Sequence, residues 1–210
     1  MGLRAVVFDY GMVLTGPQDP EAYAALLRLT GLSRDDFESI YWTDRHAYDE
    51  GKLTGTAFWK KLLQDAGLPH HEQLVEELNQ WDARMWTTEN PAMLAWQKQL
   101  NQRGILTAIL SNMGDSVLAR IEQQFDWIHH FDVLVWSFQL LMAKPDPAIY
   151  HHVLAQLGTQ PEETLFLDDR LVNIEAAHAL GMRAIQFSTV EQLRADLIGS
   201  GLDKSLPVPA

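Results

Sequence analysis

Short, continuously apolar runs alternate along the chain with longer amphipathic stretches. Leu3–Phe8, Ile105–Leu110 and Leu165–Leu167 are apolar over strand length, and Val133–Trp136 and Arg183–Phe187 are two further strand candidates. Consecutive rather than alternating apolar positions suit strands covered on both faces, as in a parallel sheet flanked by helices. Helix punctuation separates them. Asn90-Pro91 opens a helix that Gly104 closes, Asp146-Pro147 opens one ending near Gly158, and Leu171–Leu180 stops at Gly181. A capping side chain followed by Pro at the start, and Gly past the end, satisfy or avoid the unpaired groups of helix termini. This succession predicts an α/β fold with a doubly wound parallel sheet.

One stretch departs from the rhythm. From about Pro17 to Trp86 there are helix signals and no strand: Asp19-Pro20, Ser33 with Asp36 as a capping pair, Thr54 to Ala66 before Gly67, and a last helix through Leu74 and Leu78. The expected division is an α/β core from residues 1–16 and 87–200, an inserted all-helical cap at 17–86, and a loosely ordered tail at 201–210.

At 210 residues the chain can bury one sizeable core. A formal net charge of −12 argues against nucleic acid or anionic membrane as a partner, since both need basic patches. No apolar run approaches the ~18 residues of a membrane helix. Absence of cysteine excludes disulfides and thiolate chemistry, and with no visible secretory signal the expected location is the cytoplasm. Of the seven Trp, Trp42, Trp59, Trp81 and Trp86 lie in or at the edge of the cap, where they suit its core, a sugar-binding wall or a contact between copies. The chain is expected to act as a monomer or homodimer.

Ligands of an open parallel sheet bind outside the carboxyl ends of its strands. There stand Asp9, then Ser111-Asn112, then Asp168-Asp169, with Lys144 in MAKPDP after the run Val133–Trp136. Adjacent carboxylates repel unless a cation is bound. Phosphoryl transfer wants this set. A carboxylate attacks phosphorus, Mg²⁺ and an ammonium neutralise charge, and a hydroxyl and backbone N–H groups hold the remaining oxygens.

By these residues the chain resembles the haloacid dehalogenase-like (HAD) superfamily. FDYGMVL matches its first motif, LSNMGD the second, KPDP the third and FLDDRLVNIEAAHALGM the fourth, with the insertion where a helical C1-type cap belongs. In style it is similar to subfamily IA, in the branch of bacterial α-glucose-1-phosphate phosphatases and the phosphatase domains of soluble epoxide hydrolases. The resemblance implies a Mg²⁺-dependent phosphatase for a small phosphorylated metabolite, such as a sugar phosphate. In it Asp9 is nucleophile and metal ligand, the backbone carbonyl of Gly11 a second ligand and Asp169 a third, with Asp168 in support. Ser111 and Asn112 would hold the phosphate, Lys144 would bridge nucleophile and phosphate, and Asn173 would orient Lys144 or a metal-bound water.

Gly11 departs from the pattern, which places a second aspartate there as proton donor and acceptor. Three readings remain open. A cap residue supplies the proton: YWTDRHAYDEGKLT carries Arg45, His46, Tyr48 and Glu50, with Arg45 and His46 the candidate substrate contacts and an imidazole well suited to proton transfer. Alternatively, the substrate has an easy leaving group, as an anomeric or acyl phosphate does. In the third, hydrolysis is lost and the fold binds a phosphorylated ligand or a protein. A 2-haloacid dehalogenase would use the same attacking aspartate without a metal, and the Asp168-Asp169 pair argues against it.

Overall fold

In the computed structural model, which describes residues 2–210, five parallel strands form one sheet in the order β3-β2-β1-β4-β5. They are β1 (Ala5–Phe8), β2 (Leu106–Ser111), β3 (Val133–Trp136), β4 (Thr164–Asp168) and β5 (Arg183–Gln186). The central strands β1 and β4 are buried at every position, whereas β5 at the edge is half-exposed. Continuous apolar runs therefore mark the strands sandwiched between two helix layers.

Between β1 and β2 come α1 (Pro20–Thr30), α2 (Arg34–Asp49), α3 (Gly55–Asp65), α4 (Glu72–Met85) and α5 (Pro91–Gln102). Their starts follow the capping chemistry. Asp19, Ser33, Thr54 and Asn90 each accept a hydrogen bond from a first-turn N–H. The first four pack on one another around Phe37, Tyr41, Phe58, Trp59 and Leu78. Next come α6 (Asp115–Gln124), the single turn α7 (Ser137–Leu140), α8 (Pro147–Leu157), α9 (Leu171–Ala179) and α10 (Val190–Gly199). One apolar layer, with α5, α6 and α10, covers the face of the sheet bearing Phe8 and Ile109. The other, with α8 and α9, covers the face bearing Val7 and Phe166.

The tail differs from the expectation of a loose end. Leu202 and Leu206 are buried, the Trp96 indole donates to Pro207 O (2.7 Å), and Arg194 Nε donates to Pro209 O (3.0 Å). Apolar Leu206 and two backbone acceptors tie LPVPA down. Among the described residues, no helix is long and apolar enough to cross a membrane.

Candidate active site

Parallel register brings the strand ends level. Phe8 pairs with Ile109 on one side and Leu167 on the other, so Asp9, Ser111 and Asp168 emerge at the same edge. Asp9 N donates to Leu167 O (2.8 Å), and the Asp9 carboxylate accepts from Tyr10 N (2.7 Å) as the chain turns away.

Lys144 is the centre of the arrangement. Its Nζ donates to Leu110 O (2.8 Å) and Asp168 Oδ2 (2.7 Å) and lies 2.9 Å from Asp9 Oδ1. An ammonium has three N–H groups, and all three are directed. Burial works against its charge, but Asp168 and Asp9 outweigh it and hold the ammonium above its ordinary range. Burial pushes the Asp9 carboxyl up to about 7, Lys144 pulls it down, and Asp168 pushes it up again. Asp169 is also raised, by burial and then by Asp168, against the pull of Lys144. Oxygens of Asp9, Asp168 and Asp169 lie within 4.8 Å of one another. Three carboxylates facing one ammonium leave surplus negative charge that a hard divalent cation would offset.

Asp168 is held on all sides: Asn173 Nδ2 reaches both its oxygens (2.9 and 3.0 Å), and Arg170 N donates to Oδ1 (2.8 Å). This leaves Asn173 Oδ1 buried without a protein partner, an acceptor open to a metal-bound water. The residues thus fit a Mg²⁺ site. Asn112 is engaged differently from the expectation of a simple phosphate contact. Its amide donates to Lys144 O and accepts from Lys144 N, each at 2.8 Å, so its side chain fixes the backbone that carries the ammonium. The Ser111 hydroxyl makes no hydrogen bond to the described residues.

Asp9, Ser111, Asn112, Lys144 and Asp169 line one cavity of about 470 Å³, together with Gly11, Asn173 and the cap residues Trp42, Arg45, Asp49 and Trp86. Arg45 is buried with its guanidinium over the rings of Tyr41, Tyr48 and Trp86. Its Nε donates to Asp49 Oδ1 (2.9 Å) and its Nη1 to Asp82 Oδ1 (3.2 Å) and the Tyr41 hydroxyl. His46 is not brought to the site. One residue along α2 it turns outward, with 67% of its side chain exposed, and sits 3.6 Å from Glu50. A helix turns about 100° per residue, so Arg45 and His46 cannot both face the core. Trp59 is buried in the cap's own core. Sequence reasoning passed over Asp49 and Arg170, both on the cavity wall. Asp49 lies four residues after Arg45 on the same helical face, which was the available signal.

The fold is a parallel α/β core carrying a helical insertion, and its site sets the strand-end carboxylate of Asp9 against a buried lysine. The family model of haloacid dehalogenase-like hydrolases matches residues 3–181, and the chain belongs to that family. Phosphatase MT3486 of Mycobacterium tuberculosis is 28% identical over 204 residues, covering 94% of this chain and 93% of that protein. Bifunctional epoxide hydrolase 2 of Mus musculus is 29% identical over 204 residues, covering 88% of this chain, which spans about a third (36%) of that protein's length. A HAD family enzyme of Bacteroides thetaiotaomicron, solved with magnesium and inorganic phosphate, superposes with a TM-score of 0.74 at 20% identity. The match covers 89% of this chain and 95% of that one.

Proposed function

We propose that the protein is a Mg²⁺-dependent phosphatase of small phosphorylated metabolites, sugar phosphates among them, working through an aspartyl-phosphate on Asp9. The observation that carries this reading is Lys144 bridging Asp9 and Asp168 beside Asp169 and the free Ser111 hydroxyl. A cavity of this size falls in the ~300–1,000 Å³ range of small-ligand pockets. The Mycobacterium tuberculosis relative is named a phosphatase, and the Bacteroides neighbour holds magnesium and phosphate, which supports the same reading.

Asp9, Asp169 and the carbonyl of Gly11 would hold Mg²⁺, which when bound neutralises the phosphate facing an anionic nucleophile. Lys144 fixes the Asp9 carboxylate and adds a positive charge beside the phosphorus. Asp168 does not need to reach the metal: its hydrogen bonds hold Lys144 and Asn173 in place. Ser111 donates its hydroxyl to a phosphate oxygen. Arg45 and Arg170 present cations from cap and core to the rest of the ester, and Trp42 and Trp86 exclude water above it.

The test is phosphate release from p-nitrophenyl phosphate, acetyl phosphate, glucose 1-phosphate and glucose 6-phosphate, with Mg²⁺ or with EDTA. Release that needs Mg²⁺ and vanishes in Asp9→Asn is expected. No release from any of the four would overturn the reading in favour of a phospho-ligand or protein-binding module on the same fold.

A further inference from the structure

Phosphatase chemistry at Asp9 needs a group that protonates the leaving oxygen and later takes a proton from water. Gly11 has no side chain for it, and nothing lies within 4 Å of where its Cβ would be. The other titratable groups on the cavity wall are committed. All three N–H groups of Lys144 are directed, the Tyr10 hydroxyl donates to Trp86 O (2.9 Å), and arginines do not release protons. Asp9 and Asp169 belong to the nucleophile and metal site.

One carboxyl remains, and it comes from the cap. We propose that Asp49, at the end of α2, is the general acid and base of the reaction at Asp9, in place of the carboxyl that Gly11 lacks. This rests on the phosphatase reading. Asp49 lines the same cavity as Asp9 and Gly11. Its Oδ1 is fixed by Arg45 Nε at 2.9 Å, its Oδ2 makes no hydrogen bond to the described residues, and 15% of its side chain stays exposed. A hydrogen-bonded oxygen orients the carboxyl while the second is left to exchange protons.

Its main chain is registered to the phosphate-binding loop. The Ser137 hydroxyl donates to Asp49 O and accepts from Met113 N (2.9 Å), the residue after Asn112. Gly51, at φ 82°, lies so close to α7 that a Cβ would sit 2.4 Å from Phe138 O. The carboxyl's environment also suits proton exchange. Burial raises it to about 6 against the pull of Arg45, with Asp82 pushing up and His46 pulling down.

The steps balance. An Asp9 oxygen bonds to phosphorus, the P–O bond of the ester breaks, and the leaving oxygen takes the Asp49 proton, giving an alcohol, the aspartyl-phosphate and an Asp49 carboxylate. Water then attacks phosphorus while Asp49 takes its proton. The bond to Asp9 breaks, releasing inorganic phosphate and restoring the Asp9 carboxylate and the protonated Asp49.

The experiment compares wild type, Asp49→Asn, Asp49→Glu and the double variant Asp49→Asn/Gly11→Asp on glucose 6-phosphate and p-nitrophenyl phosphate with Mg²⁺. Acid quenching measures phosphate trapped on the protein, and circular dichroism checks folding. Expected for Asp49→Asn is a loss of about 10²-fold or more in kcat on the sugar ester, whose leaving group is poor. Loss of the acid step on p-nitrophenyl phosphate should be smaller, and trapped phosphate should accumulate. Gly11→Asp should restore turnover to Asp49→Asn, which a merely structural role for Asp49 would not allow. An active wild type with Asp49→Asn within threefold of it, or an equal loss on both esters without restoration, would overturn the assignment. If Asp49→Asn does not fold, Asp49→Glu decides: a longer carboxyl should lower kcat on the sugar ester more than on p-nitrophenyl phosphate, and equal kcat values would overturn it. Wild type inactive on both esters would instead remove the phosphatase reading itself.

Discussion

Asn112 and Lys144 hold each other by two hydrogen bonds of 2.8 Å, one in each direction between the Asn112 amide and the Lys144 main chain. The loop carrying Lys144 follows β3, yet it is fixed to the end of β2. That cross-link sets the ammonium against Asp9. Asn112→Ala removes both bonds, and a misplacement of about 1 Å at a reacting centre costs on the order of 10²-fold. We expect kcat for phosphate release to fall by about that factor, and stability measured in urea to fall by about 1–3 kcal/mol as buried groups lose their partner.

Asp49 links stability to pH. Its folded value of about 6 stands above the ordinary 3.8, because burial, then Asp82, outweigh Arg45 and His46. Between these values the native state binds more protons than the unfolded chain, so this group's contribution to stability falls as pH rises from about 4 to 6. Asp49→Asn removes that contribution. Denaturant titrations from pH 4 to 7 should show the variant gaining on wild type as pH rises, by up to about 3 kcal/mol at 1.36 kcal/mol per unit.

Gly114 opens α6 directly beneath the cap, and a Cβ there would sit 2.0 Å from the Tyr48 ring. Gly114→Ala must push the cap away from the core. Overpacking of this kind costs about 1–3 kcal/mol. KM should rise along with the loss of stability, because the cavity loses its upper wall. Adding Tyr48→Ala should recover part of the stability, and a double-mutant cycle on Tm reads the coupling.

The C-terminal segment is structural. Ending the chain at residue 203 exposes the surface that Leu206 covers and leaves the Trp96 indole N–H without Pro207 O. A buried Leu contributes about 1.5–3 kcal/mol and an orphaned buried donor costs about 1–3 kcal/mol. The truncated chain should melt at least about 5 °C lower, since 1 kcal/mol shifts Tm by about 2–4 °C at this size. An unchanged Tm would show that the tail adds nothing.

The sequence by itself determined the order of strands and helices, which carboxylates stand at strand ends and which lysine follows in the loop beyond β3. These are local properties: an apolar run long enough to be covered on two faces, a capping Asp or Asn, a Gly that ends a turn. It determined boundaries less well. β2 and β4 each extend onto the polar residue that serves the site, Ser111 and Asp168, because sheet hydrogen bonding does not stop where hydrophobicity does. Helix α6 follows a loop with a weak start signal, Gly114 offering no side-chain cap at all. What only the tertiary structure decided was which side chains meet. Arg45 and His46 are neighbours in sequence and face opposite ways, since a helix rotates each successive residue by about 100°. Asn112 reads as a phosphate ligand until its amide is seen spent on the main chain of Lys144. Asp49 reads as one acidic residue among many, and the docking of the cap on Ser137 places it on the wall of the cavity that Gly11 also lines. Such long-range contacts depend on how separate elements pack, and no spacing along the chain encodes them.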